Sequence, residues 1–212
     1  MISIDKIYVI HYSKLTERKK NILKQFEDNN ITNYEFIDNY DRDTITINTL
    51  LEYSTNPYKL NCGIITACVA IAHIETYKKI INNNYNLCLI FEDDIILCDN
   101  FMNKLNEYLE SIPNDIDLGF LVDGCNLHAN HYVNNNIISS KIWYDAKHSR
   151  TTSAYLITKK ACEKLLTTII PIKMEIDQQL NIEIETHNLK TYWCEPTICS
   201  EGSTTIYNSS CR

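Results

Sequence analysis

Five apolar residues in a row, Leu87-Cys88-Leu89-Ile90-Phe91, run straight into three carboxylates, Glu92-Asp93-Asp94. This junction constrains the fold more than any other part of the chain. An apolar run of strand length, without the alternation of a half-exposed strand, predicts a strand covered on both faces. Such strands belong to sheets with helices on either side, and those sheets bind ligands beyond the carboxyl ends of their strands. Three adjacent carboxylates at that place repel one another and require a compensating positive charge. A divalent cation with hard oxygen ligands, Mg2+ or Mn2+, held together with a diphosphate, supplies it. A solvated acidic turn is the plain alternative, and the preceding apolar run argues against it.

The rest of the chain reads as alternating strands and helices. Residues 7–10 predict a short strand, followed by a polar helix with Leu15, Ile22, Leu23 and Phe26 near one face. A strand is expected at Tyr34–Ile37, irregular polar chain over residues 40–60, and a long amphipathic helix over residues 64–81. Asp99 or Asn100 is expected to cap a helix reaching about Ser111. Strands are expected over residues 117–122, 141–144, 153–157 and 191–194. Thr158 is expected to cap a helix to Leu166, and residues 177–184 to form a short helix. No repeat or shift of composition interrupts this order. The expectation is one α/β domain over residues 1–212, with a mostly parallel, Rossmann-like central sheet flanked by helices.

Composition narrows the function classes. Of the 212 residues, 44% are hydrophobic and 22% charged, which excludes a disordered or fibrous chain. A net charge of −7 lacks the basic footprint of a nucleic-acid binder, so no nucleic-acid partner is expected. The first residues have no signal-peptide core, and no apolar stretch is long enough to span a membrane. The nine cysteines are odd in number and scattered without a C-x-x-C pair, which predicts free thiols in a reducing, cytoplasm-like compartment.

Four segments together resemble glycosyltransferase family 25, the lipooligosaccharide and collagen galactosyltransferase type. The first is Lys6-Ile7-Tyr8-Val9-Ile10-His11 followed by Arg18, similar to the family's I-N-L and R-x-x-R. The second is Ala72-His73-Ile74, similar to the end of its G-E-I-G-C-x-x-S-H-I. The third is Phe91-Glu92-Asp93-Asp94-Ile95, similar to its L-E-D-D-V. The fourth is Ser153-Ala154-Tyr155-Leu156-Ile157, then Lys164-Leu165-Leu166, Pro171 and Ile176-Asp177, similar to A-Y-x-I-S-x-x-G-A-x-K-L-L and P-x-D. The chain departs from the family at His11, where Asn is usual, at Thr66, where Glu is usual, and at Ala72, where Ser is usual.

The resemblance implies a GT-A-like fold and a metal-dependent, inverting transfer of a hexose such as galactose. The donor would be a UDP-sugar, the acceptor a hydroxyl on a glycan or glycoprotein, and the cofactor Mn2+ or Mg2+. It implies Asp94 as metal ligand, with Glu92 acting directly or through water, and Asp93 near the ribose or the surroundings of the metal. An inverting transfer needs a base beside the acceptor hydroxyl, and Asp177 is the candidate, with Glu175 in reserve. Arg18 is expected on the diphosphate, and His11, His73 and Arg150 on the substrate, with His148 near a phosphate. Each has an ordinary alternative: a solvated arginine, a core histidine, or an acid favouring a helix start. Trp143-Tyr144 and Tyr192-Trp193 read as core aromatics rather than a sugar platform. Two other functions stay open, an inactive sugar- or partner-binding relative and a metal-dependent phosphohydrolase.

Overall fold

The computed structural model describes residues 2–60, 63–129, 142–204 and 206–207. The elements are β1 (Lys6–Ile10), α1 (Thr16–Asp28), β2 (Tyr34–Ile37), α2 (Ile47–Tyr53) and α3 (Ile64–Asn82). After them come β3 (Leu87–Glu92), β4 (Ile95–Leu97), α4 (Phe101–Glu110), β5 (Leu118–Phe120) and β6 (Ile142–Ala146). The chain continues through β7 (Ala154–Thr158), α5 (Lys159–Leu165), α6 (Ile176–His187), β8 (Thr191–Glu195) and β9 (Cys199–Glu201). Seven strands form one sheet in the order β2-β1-β3-β7-β5-β8-β6. Five of them point one way; β7 and β6 run against their neighbours.

The apolar run behaves as its pattern demands. β3 lies between β1 and β7, and side chains alternate between two cores. Cys88 and Ile90 join Tyr8 and Ile10 under α2, α3, α5 and α6. Leu87, Leu89 and Phe91 join Ile7 and Val9 under α1 and α4. Both faces of the strand are thus dry, which is why no polar residue interrupts it before Glu92. Thr158 caps α5 as expected, its hydroxyl accepting the Ala161 N–H at 3.2 Å.

Three expectations are corrected. Residues 40–60 are not all irregular, because Thr46 caps α2 by accepting the Thr49 N–H at 3.1 Å, and Leu50 and Tyr53 are buried. α3 is not amphipathic in the usual sense; sandwiched between the sheet and α2, α5 and α6, it buries residues all round. Asn100 stands at the start of α4 in a left-handed conformation, without a side-chain capping bond. Of the strand expected over residues 141–144, Lys141 lies outside the described residues.

A small antiparallel pair, β4 with β9, was not expected. Its register puts Glu201 opposite Ile95, beside the acidic turn. Gly202 closes the contact by donating its N–H to the Asp94 carbonyl at 2.7 Å. A Cβ on Gly202 would lie 2.5 Å from that oxygen, so the approach requires glycine. No described helix is long and apolar enough to cross a membrane.

Candidate active site

The carboxyl ends of β1 and β3 open into a cleft of about 300 Å³. β1 contributes His11 and the following turn, β3 the acidic turn, and α3 the side chains of Thr66 and Val69. The segment entering β7 supplies Thr151, Thr152 and Ser153, the start of α6 supplies Glu175 and Asp177, and β9 supplies Glu201. Arg18 is the one guanidinium or ammonium among the described lining residues. A cleft so rich in carboxylates has a strongly negative field and favours cations or cation-bound ligands.

The three consecutive acids have unlike surroundings. Asp93 is buried and fully engaged: His11 Nδ1 donates to it at 2.7 Å, Arg18 Nη1 at 2.8 Å and the Tyr12 N–H at 3.3 Å. It ties α1 and the end of β1 to the acidic turn. These bonds give it a role inside the protein, and it also lines the cleft, where contact with a ribose or the surroundings of a metal was expected. Asp94 is also buried, but Arg18 stands 3.8 Å from Oδ2 and Oδ1 has no hydrogen-bond partner. Burial and then Glu92 push its carboxyl up to about 6, while Arg18 and the Ser203 hydroxyl pull the other way. Glu92 is part-exposed and accepts the Thr152 hydroxyl on Oε1 at 2.7 Å.

Asp177 sits half-buried in the first turn of α6, accepting the Gln178 N–H at 2.8 Å. Burial raises its pKa above the ordinary aspartate value. The Gln178 N–H opposes that rise, and the negative charges of Glu92 and Glu175 add to it. Glu92, Asp94, Asp177 and Glu175 thus share one cavity, as their candidacy required. Among the described residues, however, no group of three or more His, Cys, Asp or Glu is arranged to hold a metal by itself.

Three expected ligands stand elsewhere. Arg150 is fully buried outside the cleft, donating to Glu195 at 2.5 Å, to the Leu127 carbonyl, and to the Cys194 carbonyl at 3.1 Å. A guanidinium spent on a buried carboxylate is not available to a phosphate. Arg150→Ala is expected to cost about 3 kcal/mol by stranding the buried Glu195 charge. Urea unfolding measures this, and UDP affinity at 20 °C should stay at the wild-type value; a weakened affinity would return Arg150 to the site. His148 packs its ring edge-on against Trp193, with centroids 4.9 Å apart, and is likewise absent from the cleft. His73 is fully buried behind Glu92 and lines no wall. Trp193 is buried and Trp143 packs on Tyr108, as core aromatics do.

Glu201 is the acid that the sequence does not announce. Thr151 and Ser153 hydroxyls both donate to its Oε1 at 2.7 Å. No apolar run precedes it, and only the long-range β4–β9 pairing brings it to the cleft.

The sequence pattern of glycosyltransferase family 25 (LPS biosynthesis protein) matches residues 4–180. A protein of Acanthamoeba polyphaga mimivirus named as a glycosyltransferase is 30% identical over 125 residues. That match covers 56% of this chain and 38% of the mimivirus protein, so the chain spans well under half the length of that relative. Among solved structures, a glycosyltransferase involved in the glycosylation of the major capsid of PBCV-1 is similar in fold, with a TM-score of 0.55 at 9% identity. This likeness covers 97% of the present chain and 94% of that one. The phosphohydrolase reading finds no support in these likenesses.

Proposed function

Because the chain belongs to glycosyltransferase family 25, we propose that its acidic cleft binds a UDP-sugar and moves the hexose, galactose or a near relative, to an acceptor hydroxyl. The acceptor would be carried on a glycan or glycoprotein, and residues 1–212 would act as one catalytic domain. The observation that carries this reading is the unequal state of the cleft carboxylates. Asp94 is buried with one oxygen unpartnered beside Glu92, while Asp177 stands apart on α6 with its pKa raised.

Asp94 and Glu92 fit a divalent cation, Mn2+ or Mg2+. An unpartnered buried carboxylate oxygen is costly without one, and Mg2+-type ions accept few protein ligands when a diphosphate and water complete the shell. Bound there, the ion would neutralise charge on the departing diphosphate. The protein's own groups do the rest. Asp93 keeps Arg18 and His11 locked at the end of β1, so Arg18 is held rigidly beside the diphosphate position. Asp177 accepts the proton of the acceptor hydroxyl as its oxygen attacks the anomeric carbon. The bond from that carbon to the β-phosphate oxygen breaks, UDP leaves with the electron pair, and the configuration inverts. A neighbouring apolar recess between β1, β2 and α3, lined by Ile10, Tyr12 and Val69, would suit the nucleobase. The seven described cysteines are free thiols, five of them buried, which agrees with action in a reducing, cytoplasm-like compartment.

A panel of UDP-hexoses incubated with Mn2+ tests the proposal. UDP release is expected from at least one donor, abolished by EDTA and restored by added Mn2+. Absence of both binding and release across the panel would refute the transferase reading. Release of inorganic phosphate in place of UDP would revive the phosphohydrolase.

A further inference from the structure

A buried chain of hydrogen-bonding groups runs from the core to the back of Glu92. His73, on α3, is fully buried. Its Nδ1 lies 2.8 Å from the Tyr155 hydroxyl on β7, which lies 2.9 Å from the Tyr77 hydroxyl one turn further along α3. The other ring nitrogen, Nε2, has no hydrogen-bond partner and faces Glu92 Oε1 at 3.5 Å. Thr152 donates to that same oxygen, so two protein groups address Oε1. No hydrogen bond from the described residues reaches Oε2.

With a neutral ring, two proton orders are possible along this chain. Burial raises the pKa of both phenols above the ordinary tyrosine value, so each keeps its one proton to donate. In the first order Tyr77 donates to Tyr155, Tyr155 donates to His73 Nδ1, and Nε2 carries its hydrogen toward Glu92. In the second, His73 Nδ1 donates to Tyr155 and Tyr155 to Tyr77. The second leaves the Tyr77 proton with no acceptor among the described residues. It also presses a bare nitrogen lone pair against a carboxylate oxygen. Two unsatisfied buried polar groups and a repulsive contact each cost free energy. The first order gives the Tyr77 proton an acceptor and turns an N–H rather than a lone pair toward the carboxylate, because the hydrogen bond made by one ring nitrogen decides what the other carries.

We propose that His73 is a positioning residue: Tyr155 and Tyr77 hold it in the Nε2–H tautomer, and that hydrogen, facing Glu92 Oε1 across 3.5 Å beside the Thr152 hydrogen bond, favours the carboxylate orientation in which Oε2 serves the cleft. His73 thus acts through Glu92 and never meets the sugar. The role for Oε2 rests on the transferase reading, whereas the tautomer does not. Partners that orient a ligand-bearing side chain in this way are typically worth about 10- to 100-fold in affinity at the site.

The test has two parts. In wild-type protein labelled with 15N-histidine, long-range 1H–15N correlation spectra report which nitrogen of each ring is protonated. The His73 signals are assigned by their loss in His73→Gln. A neutral Nε2–H ring is expected; an Nδ1–H or doubly protonated ring overturns the proposal. Calorimetry of UDP binding with Mg2+ present then compares two amides. His73→Gln keeps a donor near the Nε2 position and should bind within about twofold of wild type. His73→Asn reaches Tyr155 only, and should bind about 10-fold more weakly. Equal losses in both variants, or none in either, overturn the positioning role. A wild type with the Nε2–H ring that binds no UDP refutes the transferase reading and leaves the hold on Glu92 standing.

Discussion

Asp94→Asn protein is expected to lose sugar transfer on the order of 10³-fold and yet, in metal-free buffer at pH 8, to unfold at higher urea than wild type. The loss of rate follows from its place in the turn after β3, where it lines the cleft, is buried and keeps one oxygen unpartnered. Removing one group that stabilises developing charge in a water-poor site costs roughly 10²–10³, and here the amide also lowers the cleft's hold on a cation. The gain in stability follows from its raised pKa. The carboxyl titrates near 6 in the folded chain against an ordinary 3.8. A raised acid penalises the folded state once ionised. The penalty is absent below about pH 4, grows as pH rises through the interval up to about 6, and is complete above it. Its size is on the order of 2–3 kcal/mol. Asparagine carries no such penalty. Urea unfolding with EDTA at pH 4 and pH 8 should therefore show the variant's advantage only at the higher pH. An advantage equal at both would contradict the burial-driven shift, and retained transfer would remove Asp94 from the site.

Asp177→Asn separates chemistry from binding. The amide oxygen still accepts the Gln178 N–H, so the start of α6 should survive, and with the burial penalty on the ionised carboxylate removed the unfolding midpoint at neutral pH should not fall. UDP-sugar affinity should also persist, because the residue acts on the acceptor. Transfer is expected to fall by roughly 10²–10⁴, the usual contribution of a positioned base. In wild type, the transfer rate should rise with pH as Asp177 loses its proton. That step lies above the ordinary aspartate range, since burial raises the group. The variant should lack that acidic limb. Unchanged transfer in Asp177→Asn would promote Glu175, whose glutamine variant is the natural control. A collapse of UDP-sugar binding would make Asp177 part of the donor site instead.

What could be foreseen of this molecule divides along physical lines. A central strand buried on both faces must be apolar throughout, so β3 and the turn that ends it are written plainly in residues 87–94. The strand at Tyr34–Ile37 and the cap at Thr158 follow from equally local rules. β4 and β9 do not, because three-residue strands carry too little periodicity and their pairing spans about half the chain. Glu201 stayed hidden for the same reason. Composition likewise cannot rank three adjacent carboxylates: only the tertiary neighbours His11 and Arg18 make Asp93 a tie within the protein and leave Asp94 to the cleft. Arg150 illustrates the opposite error. An arginine beside a polar segment suggests a phosphate, but its partner Glu195 lies 45 residues away at the end of β8, and no local pattern links them.

The most direct measurement is an anomalous difference map from crystals grown with Mn2+ and UDP. The expected result is one strong manganese peak at coordination distance from Asp94 and Glu92, bridged to the diphosphate, and no such peak in Asp94→Ala crystals. A nucleotide bound elsewhere, or a diphosphate seated in this cleft with manganese present but remote from both carboxylates, would contradict it.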